Sequence, residues 1–344
     1  MIPLLIGIPA VLAVLFQFVR NEKARGYIVY AGAGIIMLTT VMFVVQWITA
    51  GAQKQMFYPE TELIDHLMTA GDIFLMCLII WLSVKYRKIL PIILSVVQTA
   101  VVLYTEFTAE VAEAPHMMVD WLTILMCVII AFIGGFICIY TVGYMKGYHK
   151  HHTEVKDRQP FFFSMLFLFL AAMFGLVLSQ NLIWIYFFWE ITSVISFLMI
   201  GYTRTEEAVN NSFCALWMNL LGGLGFAVAI AIMAQISGSL QLIHVVEVGA
   251  PLPLMCLALA GITKSAQLPF STWLLGAMVA PTPSSALLHS ATMVKAGVYL
   301  LIRISPALEG NMVGLIVSSI GGFTFIMASM MAIAQNDAKK VLAF

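Results

Sequence analysis

Apolar stretches long enough to cross a lipid bilayer recur along the chain, and they limit its possible folds more than any other feature. A spanning helix needs about 20 consecutive, mostly apolar residues. Eleven candidate segments lie at 2–19, 27–48, 64–84, 89–105, 117–145, 160–180, 181–202, 212–236, 251–279, 282–305 and 311–334. Charged residues make up only 10% of the chain, against about 25% in soluble domains. We therefore predict an all-α polytopic membrane protein with about eleven transmembrane helices.

The basic residues between these segments predict an orientation. Lys and Arg in the first eight connections number 3, 1, 3, 0, 4, 0, 1 and 0. Loops rich in these residues stay in the cytoplasm, so the alternation places the N-terminus outside. We expect a multi-pass protein of the inner (plasma) membrane that contacts lipid. The net charge of zero and the lack of a long basic run argue against a nucleic-acid partner.

The cysteines offer no visible redox centre. All five lie inside apolar stretches, and no two form a CxxC pair. Cysteines in such places are typically small hydrophobic residues rather than iron–sulfur or zinc ligands. We expect neither a metal nor a cofactor in this chain.

The ninth segment, 251–279, contains prolines that predict a discontinuous helix. Pro269 removes a backbone donor and disrupts the turn before it. Such a break is tolerated in a membrane only where protein or a water-filled cavity satisfies the freed backbone groups. Lys264 lies five residues before Pro269, and broken helices of this kind mark ion sites in transporters. A kink that only aids packing is the alternative.

Glu190 is the only charged residue in segment 181–202. A charge at the centre of a spanning helix costs about 2.5–3.5 kcal/mol, so a chain that keeps one there has a use for it. Lys264 is the natural partner, because the separation of a carboxylate and an ammonium tunes the pKa of both groups. Proton transport and a static buried ion pair both explain this pair.

His289 and Lys295 are further candidates for proton transfer. His289 has Ser285 one turn before it on the same helix face, and histidine exchanges protons near neutrality. Lys295 is six residues further, about 9 Å along the axis, and we expect it to point to a different face. It could also extend to the membrane interface.

Ionisable residues elsewhere receive a simpler interpretation. We expect Asp65, His66 and Asp72 to occupy an interfacial position. Asp120 precedes most of the fifth segment, and we expect it to face the outer headgroups or a partner.

Residues 261–301 carry a family signature. Gly-Ile-Thr-Lys264-Ser-Ala-Gln-Leu-Pro269, followed by the run from Ala280 through His289 to Lys295, closely resembles proton-conducting antiporter-like membrane subunits. These include the large membrane subunit of NADH-quinone oxidoreductase, the membrane arm of multi-subunit NiFe hydrogenases and the large subunit of Mrp antiporters. Trp189-Glu190 and the run from Gln335 to Ala343 agree with the family pattern, and the match extends from about residue 117 to the end.

The resemblance implies roles for individual residues. Glu190 is similar to the glutamate that couples one subunit to the next, and Lys264 to the broken-helix lysine that takes up the proton. His289 resembles the residue that passes the proton along the central axis, and Lys339 the basic residue further along that axis. The family has two inverted helical repeats.

The sequence departs from the family in three respects. Residues 1–116 include two extra apolar segments (64–105), so we divide the chain into this region and an antiporter-like domain at 117–344. The chain ends where the family continues, so we expect an inverted-repeat fold truncated in its second repeat. Asn219 to Gly223 stands where respiratory complex I has an acid in the sixth helix, which favours the hydrogenase and Mrp branches.

The resemblance implies proton or sodium translocation within a complex I-related redox complex of hydrogenase- or ferredoxin-linked type. Iron–sulfur clusters, NiFe or flavin would lie in peripheral partner subunits, beside other antiporter-like and small membrane subunits. The alternatives are an Mrp-type Na+/H+ antiporter without redox chemistry and a structural scaffold that does not pump.

Overall fold

The computed structural model describes residues 1–59, 62–109 and 114–344, and nearly all regular structure in these ranges is helical. The helices are α1 (Ile2–Phe18), α2 (Glu22–Thr49), α3 (Glu62–Lys85), α4 (Leu90–Thr108), α5 (Trp121–Ile129), α6 (Gly135–His151), α7 (Gln159–Leu178), α8 (Leu182–Ile200), α9 (Glu206–Ser237), α10 (Leu242–Val248), α11 (Pro251–Lys264), α12 (Thr272–Gly276), α13 (Thr282–Ala286), α14 (Met293–Leu308), α15 (Met312–Ile333) and α16 (Ala338–Ala343). Two short strands, β1 (Gln55–Phe57) and β2 (Met117–Val119), pair in antiparallel register.

Wider π-helical turns lie between two pairs of these helices. Ile130–Gly134 connects α5 to α6, and Leu287–Ala291 lies between α13 and α14. Within the described ranges, nine helical stretches are long and apolar enough to cross a membrane, and α1 and α11 are shorter apolar helices. The predicted all-α membrane architecture is confirmed, while the total of eleven spans stays a prediction.

Local capping residues set several helix ends. The Asn181 side chain accepts a hydrogen bond from Ile183 N at the start of α8, and only residues 179–181 separate α7 from α8. The Thr205 hydroxyl caps α9 in the same way, by accepting from Ala208 N. Gly238, at φ 59°, ends α9, because glycine adopts the left-handed conformation without a steric penalty.

Helices α7 and α8 form the centre of the bundle. In their most apolar 18-residue windows, 83% and 78% of the residues are buried. In the corresponding window of α15, no residue is buried. Helix α7 packs on α1 and α8, while α9 packs on α4, α8 and α11. Helices from the first 116 residues thus contact the later ones directly, and the division at residues 116 and 117 stays a prediction.

The predicted discontinuity in the ninth segment is present. Helix α11 ends at Lys264, and the next helical turn begins at Thr272, with Pro269 between them. Trp273 Nε1 donates to Thr263 O at 3.0 Å, across the break. The Thr324 hydroxyl of α15 accepts from Leu268 N at 3.0 Å. These contacts satisfy backbone groups that the broken helix leaves without intrahelical partners.

Candidate functional site

Glu190 lies near the middle of α8 and is only 3% exposed. Its Oε2 accepts a hydrogen bond of 2.9 Å from Gln98 Nε2. Its Oε1 has no hydrogen-bond partner among the described residues. Because Gln98 belongs to α4, one of the two extra segments supplies the donor that orients this carboxyl group.

Lys264 is the last residue of α11 and is completely buried. Its Nζ donates to Trp189 O at 2.9 Å and to Ser193 Oγ at 2.8 Å. The ammonium also lies 4.7 Å from the centroid of the Trp189 ring. A desolvated ammonium needs such partners, and both the hydrogen bonds and the ring supply them.

The sequence predicted a Glu190–Lys264 pair, and the structure brings the two residues together without direct contact. Both described hydrogen bonds of the ammonium go to α8 residues that flank the glutamate. The geometry of α8 explains this arrangement. Trp189 and Ser193 are four residues apart on one face, while Glu190 is rotated from Trp189 by about 100°. The lysine therefore approaches one side of the helix and Gln98 another, and the two charges still interact electrostatically.

The end of α11 suits a cation. The C-terminus of a helix carries about half a negative elementary charge, which favours Lys at this position. Ser265 and Gln267 follow in the break and line a cavity of about 510 Å³. The buried lysine thus lies at the boundary between the sealed bundle centre and this cavity.

The other three candidate residues collect at this cavity. His289, Lys295 and Lys339 all contribute to its lining. His289 Nε2 has no hydrogen-bond partner among the described residues. Lys339 Nζ donates to Met278 O and Ala280 O, both at 2.9 Å. Burial lowers the pKa of Lys339 despite the opposing charge of Asp337, so this ammonium loses its proton more readily than an exposed lysine.

The expectation that His289 and Lys295 point to different faces is wrong. It assumed one regular helix through both residues. The π-helical turn at Leu287–Ala291 and the non-helical backbone of Thr292, at φ −140° and ψ −81°, change the phase between them. As a result, both residues line the same cavity, and Lys295 is exposed there.

The interfacial interpretation of Asp72 is also wrong. This residue is 6% exposed and lies on the buried face of α3. Asp65, seven residues earlier, accepts a hydrogen bond of 2.6 Å from Trp184 Nε1 on α8. Helix α3 therefore directs carboxylates toward α8 rather than toward headgroups.

Asp120 has a partner inside the chain. Arg303 of α14 donates two hydrogen bonds to the Asp120 carboxylate, and its Nη2 lies 2.8 Å from Oδ1. Asp120 also caps α5 by accepting from Thr123 N at 2.9 Å. Although burial opposes the charged form, the hydrogen bonds from Arg303 and Thr123 hold the pKa of Asp120 below its ordinary value.

The sequence interpretation missed Gln98. A signal was present, because Ser95, Gln98 and Thr99 recur at helical spacing in an otherwise apolar segment, and all three are buried. Polar side chains on one face of a membrane helix indicate contact with protein rather than with lipid.

Two family models match this chain. The model described as NADH:quinone oxidoreductase/Mrp antiporter, TM, matches residues 179–344. The model described as NADH-Ubiquinone oxidoreductase (complex I), chain 5 N-terminus, matches residues 114–153. Together they include the helices that carry Glu190, Lys264, His289 and Lys339.

Curated relatives that are named as antiporter subunits are much longer than this chain. A Rhizobium meliloti protein, named as a probable K(+)/H(+) antiporter subunit, is 37% identical over 245 residues, which is 67% of this chain and 24% of that protein. A Staphylococcus aureus protein named as antiporter subunit mnhA2 is 38% identical over 235 residues, 65% of this chain and 28% of that protein. The chain thus spans about a quarter of the length of these relatives.

Two solved structures share the fold. The membrane-bound sulfane sulfur reductase, an archaeal respiratory membrane complex, contains a chain that matches 99% of this one with a TM-score of 0.73 and 16% identity, over 61% of its own length. The Mrp complex of Dietzia sp. DQ12-45-1b contains a chain that matches 81% of this one with a TM-score of 0.60 and 27% identity, over 32% of its length.

Proposed function

The chain belongs to the family of antiporter-like membrane subunits, and from this membership we propose that it translocates protons or a monovalent cation within a complex I-related or Mrp-type membrane complex. The observation that carries the proposal is the completely buried Lys264, held at the end of a broken helix beside Glu190. A buried ammonium whose hydrogen bonds in the described part of the chain go to a carbonyl and a hydroxyl can give up its proton and leave these neighbours hydrogen-bonded.

The charge state of Lys264 depends on that of Glu190. When Glu190 is ionised, its charge favours the ammonium; when Glu190 is protonated, desolvation favours the neutral amine. A change of 1.4 kcal/mol in this interaction shifts the pKa by about one unit. A small movement of Glu190 or of its donor Gln98 is therefore sufficient to load or release a proton at Lys264.

The adjoining cavity gives the released proton a route. At about 510 Å³, it has room for several water molecules of about 30 Å³ each. His289 and Lys339 at its wall offer groups that exchange protons with water. The route runs from Lys264 past Ser265 and Gln267 to His289 and then to Lys339.

We propose the redox-linked branch for the complex as a whole. In this proposal the complex is of the hydrogenase- or ferredoxin-linked type, and its iron–sulfur, NiFe or flavin centres lie in peripheral partner subunits. The likeness in fold to a chain of an archaeal respiratory complex supports a place beside other antiporter-like and small membrane subunits. The plasma membrane and an external N-terminus, from the charge of the loops, belong to the same proposal.

An Mrp-type antiporter is the second candidate. It is supported by the 37% and 38% identity to proteins named as antiporter subunits. In this case the exchanged ion would be Na+ or K+ against H+, and no electron transfer would occur. The translocation residues would be the same in both candidates.

Purification in mild detergent separates these two candidates. Mass spectrometry would identify every subunit that co-purifies with the chain, and iron and nickel would be measured in the same sample. Iron–sulfur subunits together with either metal support the redox-linked branch. Small hydrophobic partners without metal support the Mrp-type branch.

Replacement of Lys264 by alanine tests translocation itself. In everted vesicles that contain the whole complex, we expect Lys264→Ala to reduce proton transport by about 10²-fold, because a proton-transfer group is removed. The matched control is Lys146→Ala, which removes an exposed ammonium that forms an ion pair with Glu22. Undiminished transport in an assembled Lys264→Ala complex would instead favour the non-pumping scaffold.

A further inference from the structure

Helices α3 and α4, the two extra segments, place polar residues against the bundle rather than toward lipid. They pack on each other, and they contact α8 and α9 respectively. The buried face of α4 includes Gln98, Thr99 and Thr105, and that of α3 includes Asp72. A hairpin that only covered the bundle would need no buried carboxylate, because such a group is costly in a membrane.

Two hydrogen bonds fix the level of α3 relative to its neighbours. Thr69 Oγ1 donates to Glu106 Oε1 of α4 at 2.5 Å. Four residues earlier on α3, Asp65 accepts from Trp184 of α8. These contacts lie at the end of the α3–α4 hairpin that is nearest the 109–120 connection. The loop charges predict that this end is on the outer side of the membrane.

Asp72 lies deeper, at the level of Glu190. It is seven residues beyond Asp65 on α3, and Glu190 is six residues beyond Trp184 on α8, so both lie about 9–11 Å further into the bundle. The helices are close here, because a Cβ on Gly71 would lie only 2.6 Å from Phe187 Cε2. Asp72 interacts electrostatically with Glu190 and Glu106 and has no hydrogen-bond or ion-pair partner among the described residues.

Deeper in the bundle, where α4 meets α8 and α9, two oxygens without hydrogen-bond partners converge. Glu190 Oε1 and Gln98 Oε1 are both buried without a partner in the described part of the chain. A Cβ on Gly223 of α9 would lie 2.5 Å from the first oxygen and 2.7 Å from the second. The glycine therefore leaves the space in which these oxygens sit, and two facing acceptors require a proton or a donor between them.

We propose that α3 and α4 provide a second proton route, which runs from Glu106 and Thr69 through Asp72 to the Gln98–Glu190 pair. This inference rests on the proposed function. In each step one proton leaves a carboxyl group and binds the next carboxylate, either directly or through water, and no electrons move. Because Glu190 Oε2 already accepts a hydrogen bond from Gln98 Nε2, Oε1 is the oxygen that accepts the proton.

The geometry favours a proton over a metal cation. A hard cation binds about six or more oxygen ligands in one shell. Here two oxygens converge at Gly223, while Asp72 and Glu106 are spaced along the helices. Such a linear series suits a carrier that passes from group to group.

The test compares Asp72→Asn with Glu62→Gln in vesicles that contain the whole complex. Glu62 is an exposed carboxylate at the start of α3, so its replacement is a control for charge on the same helix. We expect Asp72→Asn to lower proton transport at least about tenfold and Glu62→Gln to leave it unchanged. Asp72→Glu should restore transport, because it returns a titratable group, and a purely structural Asp72 would not show this pattern.

Lys264→Ala, measured in parallel, separates this inference from the proposed function. If Lys264→Ala abolishes transport and Asp72→Asn keeps more than half of it, the second route is wrong and the function stands. If neither variant affects transport, both proposals are wrong.

Two further variants apply if Asp72→Asn does not assemble. Glu106→Gln retains an acceptor for Thr69, and Gly223→Ala places a methyl group where the two oxygens converge. Both should reduce transport, whereas Gly34→Ala, whose added Cβ would meet nothing within 4 Å, should not. Normal transport in Glu106→Gln and Gly223→Ala would overturn the second route.

Discussion

The region around Glu190 and Lys264 and the cavity around His289 and Lys339 stabilise ionisable groups in different ways. In the first, the protein itself supplies the partners, namely Gln98 for the carboxylate and Trp189 and Ser193 for the ammonium. In the second, an open cavity borders the groups: Lys339 donates to two backbone carbonyls but stays partly exposed, and His289 Nε2 lacks a partner in the described part of the chain. A change of charge in the region around Glu190 and Lys264, here called the sealed region, must be balanced by protein groups. In the cavity, water can balance such a change. Coupling between charge and conformation therefore belongs to the sealed region.

The largest effect is expected from Glu190→Gln. The substitution keeps the shape of the side chain and its hydrogen bond from Gln98. It removes the negative charge that interacts with the Lys264 ammonium. We expect proton transport in vesicles to fall by about 10²-fold, while native gel electrophoresis shows an assembled complex. Loss of assembly would instead indicate that Glu190 and Lys264 form a static buried ion pair, and would contradict a coupling role for this region.

A smaller effect is expected from Lys339→Gln in the cavity. A water molecule can replace much of what the ammonium provides, so the change should cost about 1 kcal/mol, or about fivefold in the transport rate. The same vesicle assay measures it, with Lys340→Gln on the same short helix as the control. A loss as large as that of Lys264→Ala would show that the cavity depends on fixed protein groups as the sealed region does.

The smallest effect on transport is expected at the Asp120–Arg303 ion pair, which lies outside both regions. Folding lowers the pKa of Asp120, so its stabilising contribution is complete above the unfolded value, about 3.9. That contribution is lost as the pH falls through the lower folded value. Charged hydrogen bonds of this kind contribute about 1.5–3 kcal/mol.

Thermal unfolding of the purified complex between pH 3 and pH 7 measures this contribution. We expect Asp120→Asn to be less stable than the natural chain at pH 7 and to approach it at pH 3. Transport by Asp120→Asn at neutral pH should equal that of the natural chain. If Asp120→Asn and the natural chain differ in stability by the same amount at pH 3 and at pH 7, the ion pair is not the cause of the difference.

Much of the fold was predictable because helix formation in a membrane depends on local sequence. The segment predicted at 160–180 is α7 (Gln159–Leu178), and that at 311–334 is α15 (Met312–Ile333). A run of apolar residues must satisfy its own backbone hydrogen bonds in lipid, and only a helix does so within one segment. The break after Lys264 follows from Pro269 by equally local chemistry.

The sequence by itself thus determined most of the helices, the break and the burial of Glu190 and Lys264. Only the tertiary structure decided which side chains meet. Gln98 reaches Glu190 across 92 residues, and Asp72 is buried because α3 packs on α8. The π-helical turn between α13 and α14 brings His289 and Lys295 to one cavity. Such contacts depend on how each helix is rotated and packed against its neighbours, and that arrangement is a property of the whole bundle rather than of any one segment.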